Sequence, residues 1–308
     1  MSSAPPPRVT IALATRNGAA HLRAQLDSYA AQTHSAWDLW VSDDGSTDST
    51  RAIVQAFAAE HGAGRQIRLV DGPQAGVAAN FMSLLCHPDL PAQPVALSDQ
   101  DDVWLPEKLE LGLHDLQGDA PRLYGAQSIH VDTDLRPIGR SLGGGIPSFG
   151  NALVQNIVSG HSAMLNAGAL GLVRRAGVPR DIPYHDWWLY QLITGAGGTV
   201  VVRPDAVLLY RQHGANAMGS HQGPRATLAR AGQVLGRTYG GWIAANTAAL
   251  NGVRDLLDAD AHATLDALAA HPPAPGRTRA RVFARHRLRR QGRVGTMALY
   301  LAVIMGRI

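Results

Sequence analysis

Four short polar stretches carry residue types that could do chemistry. Asp99-Gln100-Asp101-Asp102 directly follows an apolar run at 94–97. Several carboxylates at a strand end suit a hard divalent cation, which prefers oxygen ligands. Mg²⁺ or Mn²⁺ held there bridges two phosphate groups and neutralises a departing diphosphate. A solvated acidic turn that caps a helix fits the same residues. In Asp43-Asp44-Gly45-Ser46-Thr47-Asp48, Thr47 or Asp48 suffices to cap the next helix. Asp43 and Asp44 are then left over, and adjacent carboxylates repel unless each has a partner; the N–H of a nucleotide base is one, and a plain turn is the other reading. His185-Asp186-Trp187-Trp188 sets one carboxylate beside two indoles. A partly dry wall makes such a carboxylate a stronger general base, although a surface Asp next to two core aromatics has the same sequence. In Tyr210-Arg211-Gln212-His213-Gly214-Ala215-Asn216, Arg211 can pair with phosphate and a neutral His213 can complete a metal's coordination. A lone His is more often a structural one.

The elements that must position these groups alternate. Apolar runs at 9–14, 39–41, 67–70 and 94–97 read as strands. Between them, residues 21–31, 49–60 and 76–85 have helical spacing or helix-start signals. Strand–helix alternation with short loops predicts an α/β fold: a Rossmann-like, mostly parallel sheet with helices on both faces. Ligands of such sheets bind at the carboxyl ends of the strands, where residues 15–18, 43–48 and 99–102 all fall. Residues 123–210 mix short strands with glycine-rich loops, and 142–150 (LGGGIPSFG) reads as a mobile loop. Residues 1–8 are expected to be a disordered, Ser/Ala/Pro-rich N-terminus. The catalytic domain is expected over 9–220, and a helical, arginine-rich C-terminal extension over 221–308, with a linker at 272–276.

The chain has 308 residues, 45% of them hydrophobic, enough for one core of roughly 200 residues and a smaller appendage. Its formal net charge is +4, and Lys108 is the only lysine. An arginine bias of this kind often reflects a GC-rich genome and says little about an anionic partner. Cys86 stands alone, which excludes an intrachain disulfide and a Cys-based zinc site and fits a reducing compartment. No run of 18 apolar residues suggests a membrane span, and residues 1–8 lack the pattern of a signal peptide.

Seven stretches, LATRNGAAHLRAQLDSYAAQTH, WVSDDGSTDST, GVAANFMSLL, ALSDQDDVWLPEKLE, SGHSAML, HDWWLY and LYRQHGANAMG, occur in this order over about residues 9–218. Together they resemble the family 2 glycosyltransferases, which have the GT-A fold, and within them the rhamnosyltransferase-like members that build bacterial surface polysaccharides. The resemblance implies a divalent cation and a nucleotide diphosphate sugar as donor. Asp44 contacts the base on this reading, and Asp43, Thr15, Asn17 and Asn80 lie at the same pocket. Asp99 lies near the ribose, Asp101 binds the metal, and Asp102 shares it. Asp186 is the implied catalytic base, His213 faces the metal or diphosphate, and Arg211 lies beside it. Arg16 stands where the family usually has tyrosine or a small residue, and an arginine near a diphosphate is chemically sensible there. The implied reaction is an inverting, in-line displacement onto a hydroxyl of a glycan or lipid-linked glycan, with thymidine diphosphate rhamnose as the first candidate donor.

Three rivals have sequence criteria. A sugar nucleotidyltransferase needs a glycine-rich, arginine-containing loop after the first strand, where this chain offers only Gly18. A nucleic-acid binder would use residues 277–293, but Phe283 is the only aromatic there to stack a base, so no nucleic acid is expected. A non-catalytic sugar-nucleotide binder would not need Asp101 and Asp186. Arginines beside the apolar run 294–305 suit either an anionic membrane surface or a basic helix packed on the catalytic domain. The expected location is cytoplasmic, peripheral on the inner face of the plasma membrane.

Overall fold

Val9–Thr15 (β1) and Trp37–Asp43 (β2) are buried along their whole length, as expected of strands covered on both faces. With Ile67–Asp71 (β3) and Val95–Ser98 (β4) they form a parallel block in the order β3-β2-β1-β4. Helices α1 (Leu22–Ala30), α2 (Thr50–His61) and α3 (Val77–Leu85) make the crossovers. The structure, a computed structural model, describes residues 6–141, 145–212, 232 and 236–308. β2 is longer than the expected 39–41 because Trp37 and Asp38 are buried in it as well. Residues 1–5 lie outside the described residues. Arg8 is fixed to Asp38 at 2.8 Å.

The second half extends the same sheet. Val103–Trp104 (β5), Arg122–Val131 (β6), Pro137–Arg140 (β7), Met164–Leu165 (β8) and Thr199–Arg211 (β9) alternate with α4 (Lys108–Asp115), the short α5 (Phe149–Ala152), α6 (Ala167–Ala176) and α7 (His185–Gly195). The two-residue β8 joins the halves, antiparallel to both β4 and β6. β6 and β9 run parallel, and β5 returns antiparallel along the end of β9. That return brings residues 99–102 against Arg211. Of the expected mobile loop, residues 142–144 lie outside the described residues. Its second half is hydrogen-bonded in place: the Gln291 side chain pairs with the backbone of Ile146, and Ser148 N–H donates to the Tyr190 hydroxyl at 3.0 Å.

Residues 213–231 and 233–235 lie outside the described residues. The C-terminal helices α8 (Arg237–Asn251), α9 (Ala259–Ala269), α10 (Thr278–Arg285) and α11 (Arg293–Ile304) follow. They share a core with the sheet: Tyr239, Leu250, Leu265, Phe283, Leu299 and Val303 belong to the same buried cluster as Leu97, Trp188 and Leu192. The proline-rich stretch 272–276 is tied to the end of α11, where Gly276 N–H donates to the Ile304 carbonyl at 2.8 Å. Among the described residues, no helix is long and apolar enough to cross a membrane.

Candidate active site

The carboxyl ends of β1, β2 and β4 bring three of the polar stretches to one edge. Gln100, between the first two aspartates of its motif, is the residue that ties them. Its Oε1 accepts from Thr15 Oγ1 at 2.6 Å and from Arg16 N–H at 2.8 Å, and its Nε2 donates to the Arg16 carbonyl at 3.1 Å. A Cβ on Gly18 would lie 2.5 Å from Gln100 Oε1, so the loop after β1 closes onto this amide only with glycine there. The Arg16 side chain points to solvent.

The loop after β2 is held from within. Asp43 is buried and accepts from the Ser46 hydroxyl and from Arg51, the latter at 2.9 Å. Asp44, 3% exposed, accepts backbone N–H groups from Gln74 at 2.6 Å and Gly76 at 3.0 Å. A carboxylate offers about four lone-pair sites, so Asp44 keeps capacity for a further donor. The two neighbours therefore have different partners, which relieves the repulsion that their adjacency creates. Asn17, at φ +50°, accepts the Thr47 N–H at 2.8 Å and links the two loops. Asp48, not Thr47, secures the start of α2, through the backbone N–H of Thr50 at 2.9 Å; hydrogen bonding to Thr50 also holds its carboxyl below the usual range. Asn80 is buried against β2, where its amide donates to the Ser42 carbonyl at 3.0 Å.

A second cluster lies behind the aspartates. Leu97 N–H donates to the Ala163 carbonyl, which sets the turn Gly160–Ser162 beside the end of β4. Ligand atoms of Asp99, Asp102 and His161 consequently lie within 4.8 Å of one another. Lys108 is fully buried next to them, donates to the His161 carbonyl at 2.6 Å and sits 3.4 Å above the Trp104 ring. Burial raises the Asp99 carboxyl to about 7, helped by the charges of Asp101 and Asp186. Burial also raises Asp102 and depresses Lys108. The His161 imidazole is pushed down to about 3 by burial and by Lys108, so it is neutral and able to act as a ligand. Asp102 Oδ1 accepts from Arg211 N–H at 3.2 Å, whereas its buried Oδ2 has no hydrogen-bond partner among the described residues. Crowded carboxylates, a neutral imidazole and an orphaned buried oxygen are a donor set that fits a divalent cation. Asp101 is outside that three-residue set, and His213 lies outside the described residues. Arg211 is buried and spends its guanidinium on the carbonyls of Asp101 and Thr133. It fixes the aspartate loop from the β9 side.

Asp186 lies in the first turn of α7. Its Oδ2 accepts from Gly160 N–H at 2.9 Å and its Oδ1 from its neighbour Trp187 N–H at 2.7 Å. His185 stacks on Phe81 with centroids 4.0 Å apart, and Trp187 donates to the Ala152 carbonyl at 2.6 Å. These contacts hold the carboxylate from both sides. A Cβ on Gly160 would come within 2.7 Å of His185 Nε2, so any side chain there presses on the ring stacked against Phe81. Gly160 N–H holds Asp186 while its chain neighbour His161 lies within 4.8 Å of Asp99 and Asp102, which puts the acid of α7 and the aspartates that follow β4 in one site. Sequence reasoning did not assign roles to Gln100, Lys108, Gly160 or His161. A single lysine in an arginine-rich chain was the available signal. The Lys ammonium changes its charge state on burial far more readily than guanidinium does.

Residues 10–178, more than half of the chain, match the family described as Glycosyl transferase family 2. The chain is 24% identical over 246 residues to dTDP-rhamnosyl transferase RfbG of Shigella flexneri, a match covering 74% of this chain and 80% of the relative. It is 31% identical over 104 residues to a UDP-Glc:alpha-D-GlcNAc-diphosphoundecaprenol beta-1,3-glucosyltransferase, WfgD, of Escherichia coli, covering 33% of this chain and 38% of that one. In fold it is similar to the mannosyltransferase PcManGT from Pyrobaculum calidifontis, solved with GDP-Man and Mn²⁺: TM-score 0.53, 20% identity, 97% of this chain and 86% of the other. S. aureus TarS 1-349, solved with UDP-GlcNAc, gives a TM-score of 0.52 at 14% identity, covering 91% and 89%. The parallel β3-β2-β1-β4 block, the acidic edge it carries and the match over residues 10–178 agree: the chain belongs to glycosyl transferase family 2 and is a sugar-transferring enzyme.

Proposed function

We propose that this glycosyltransferase moves a sugar, rhamnose as first candidate, from a nucleoside diphosphate donor onto a hydroxyl of a glycan or lipid-linked glycan, with inversion at the anomeric carbon. The observation that carries the reading is the convergence of Asp186, through Gly160 and His161, with Asp99 and Asp102 at the carboxyl edge of the sheet. The Shigella relative is a dTDP-rhamnosyl transferase, which supports the choice of donor. Assembly of cell-surface polysaccharide at the inner membrane face is the setting this donor and acceptor imply.

Asp186 accepts the proton of the acceptor hydroxyl while that oxygen attacks. Two backbone N–H groups hold its carboxylate, so its lone pairs are aimed before the acceptor arrives. Asp44 receives the nucleotide base at the loop end of β2, with Thr15, Asn17 and Asn80 shaping the pocket and Asp43 bracing it. Asp99 lies toward the ribose. Asp99, Asp101, Asp102 and His161 are the residues that would hold Mg²⁺ or Mn²⁺, with His213 as a further candidate. That cation supplies charge neutralisation for the departing diphosphate.

A panel of thymidine, uridine and guanosine diphosphate sugars tests the reading, with Mn²⁺, Mg²⁺ or EDTA and product configuration read by NMR. Turnover of thymidine diphosphate rhamnose, loss of turnover in EDTA and an inverted anomeric centre are expected. Full activity in EDTA, or retained configuration, refutes the mechanism.

A further inference from the structure

Helix α11 is apolar around nearly its whole circumference. Its inner stripe, Leu299, Ala302 and Val303, is buried in the shared core. Its outer stripe carries Val294, Met297, Leu301 and Ile304, with Met305 just beyond, exposed by 59%, 72%, 50%, 37% and 43%. At 3.6 residues per turn these five occupy an arc of about 100° opposite Leu299. A surface helix ordinarily turns polar side chains outward, and a contiguous apolar patch marks an interaction site where scattered single residues do not.

Basic residues border the patch. On α10 the exposed Arg277, Arg281 and Arg285 recur every four residues, opposite the buried Ala280 and Phe283. Phe283 meets Tyr300 of α11 edge-on at 6.4 Å, so the two helices pack together. Exposed Arg287 and Arg289 lie in the turn between them, exposed Arg293 opens α11, and residues 267–308 contain no Asp or Glu. Ile146, 78% exposed, is pinned by its backbone to Gln291 in that turn and adds one more apolar side chain nearby.

From this geometry we infer that α11 docks the enzyme on an anionic lipid surface. The outer arc enters the boundary between headgroups and acyl chains, and the arginines of α10 and of the turn meet the headgroup phosphates. Twelve residues span only about 18 Å, short of a hydrocarbon core of about 30 Å, so the helix lies on the bilayer. Charge decides against a second copy of the chain, because like-charged arginine borders would face each other. The inference does not rest on the donor or on the transfer mechanism.

The full-length chain is floated with vesicles of phosphatidylglycerol and phosphatidylcholine, and with phosphatidylcholine alone, at low and high salt. Flotation with the anionic vesicles and loss at high salt are expected. Met297→Glu combined with Leu301→Glu should weaken binding at least about tenfold, and Arg281→Glu with Arg285→Glu should do likewise. Both double variants should bind nucleoside diphosphate as the wild type does, which shows that the fold is kept. No wild-type flotation on anionic vesicles overturns the inference. So does flotation undiminished by the Met297 and Leu301 changes, or a wild-type dimer that the same changes convert to monomer.

Discussion

Replacing Asp186 by Asn separates the chemistry of this carboxylate from its structural part. Both oxygens accept a backbone N–H, from Gly160 at 2.9 Å and from Trp187 at 2.7 Å. An amide keeps one acceptor and sets an NH₂ against the other N–H. An unsatisfied donor costs ~1–3 kcal/mol when buried; Asp186 is half-buried, so about 1 kcal/mol is expected here. That corresponds to a fall of about 2–4 °C in Tm for a chain of this class, too little to unfold a protein of ordinary stability, ~5–15 kcal/mol. Loss of the proposed general base should cost ~10²–10⁴ in kcat, about 3–5 kcal/mol of barrier. Donor affinity should stay within a few-fold, because Asp44, Asp99 and Asp102 are unchanged. Transfer kinetics, calorimetric donor binding and a thermal melt read the three quantities separately. Transfer within a few-fold of wild type would mean that the proton goes elsewhere. Loss of donor binding would put Asp186 in the donor site.

Gly160→Ala inserts a Cβ 2.7 Å from His185 Nε2, so the ring stacked on Phe81 or the turn that donates to Asp186 must give; kcat should fall ~10²-fold, as for small misplacements of catalytic groups, with donor affinity nearly unchanged, and unaltered kcat would show that the turn does not position the proposed base. Asp101→Ala should remove metal-dependent nucleoside diphosphate binding while preserving the fold, which calorimetry checks. Asp99 has a folded pKa raised to about 7, so its contribution to metal-free stability is complete at pH below its unfolded value and lost as pH rises to about 7. Between pH 5 and 8 the metal-free enzyme should therefore lose Tm, and Mn²⁺ should restore more of it at pH 8 than at pH 5; equal gains at both would mean that Asp99 is not a ligand. Lys108→Met removes the buried amine whose protonated form favours ionised Asp99 and Asp102, and should move the Mn²⁺ response to higher pH; an unchanged pH dependence would mean that this amine is held neutral.

Much of the proposed donor side, as a place in the fold, was legible because it is local. Strands β1 to β4 are runs with their own periodicity, and the polar stretches that follow them must share an edge once the block is parallel. Asp186 was legible only through its neighbours and through a resemblance. That His161 and Lys108 join Asp99 and Asp102 was not legible, because it depends on β8 lying antiparallel between β4 and β6, and β8 has two residues. A strand that short has no period to read. Gln100 is hidden for a different reason: its side chain works on the backbone of Thr15–Arg16, 84 residues away from Arg16 in sequence, and backbone partners leave no mark in residue type. The arginine-rich segment read as two alternatives, a membrane surface or a packed basic helix. One face of it is packed, since Phe283 and Leu299 are core residues, so residues 277–308 are unsuited to the clean truncation that the sequence invites.

That shared core also bears on how the enzyme is made. Trp187 of α7 packs against Tyr239 of α8 with ring centroids 5.9 Å apart, and Trp188 and Leu192 belong to the same buried cluster as Leu299 and Val303 of α11, which follow more than a hundred residues later. At ~5–20 residues per second, ribosomes leave this shared core incomplete for on the order of ten seconds after α7 has been synthesised. During that interval the nascent chain displays an apolar seam, while the parallel β3-β2-β1-β4 block can already close. A trigger-type chaperone that shields such seams should therefore raise the yield of active enzyme, and slow codons placed between α7 and α11 should lower it.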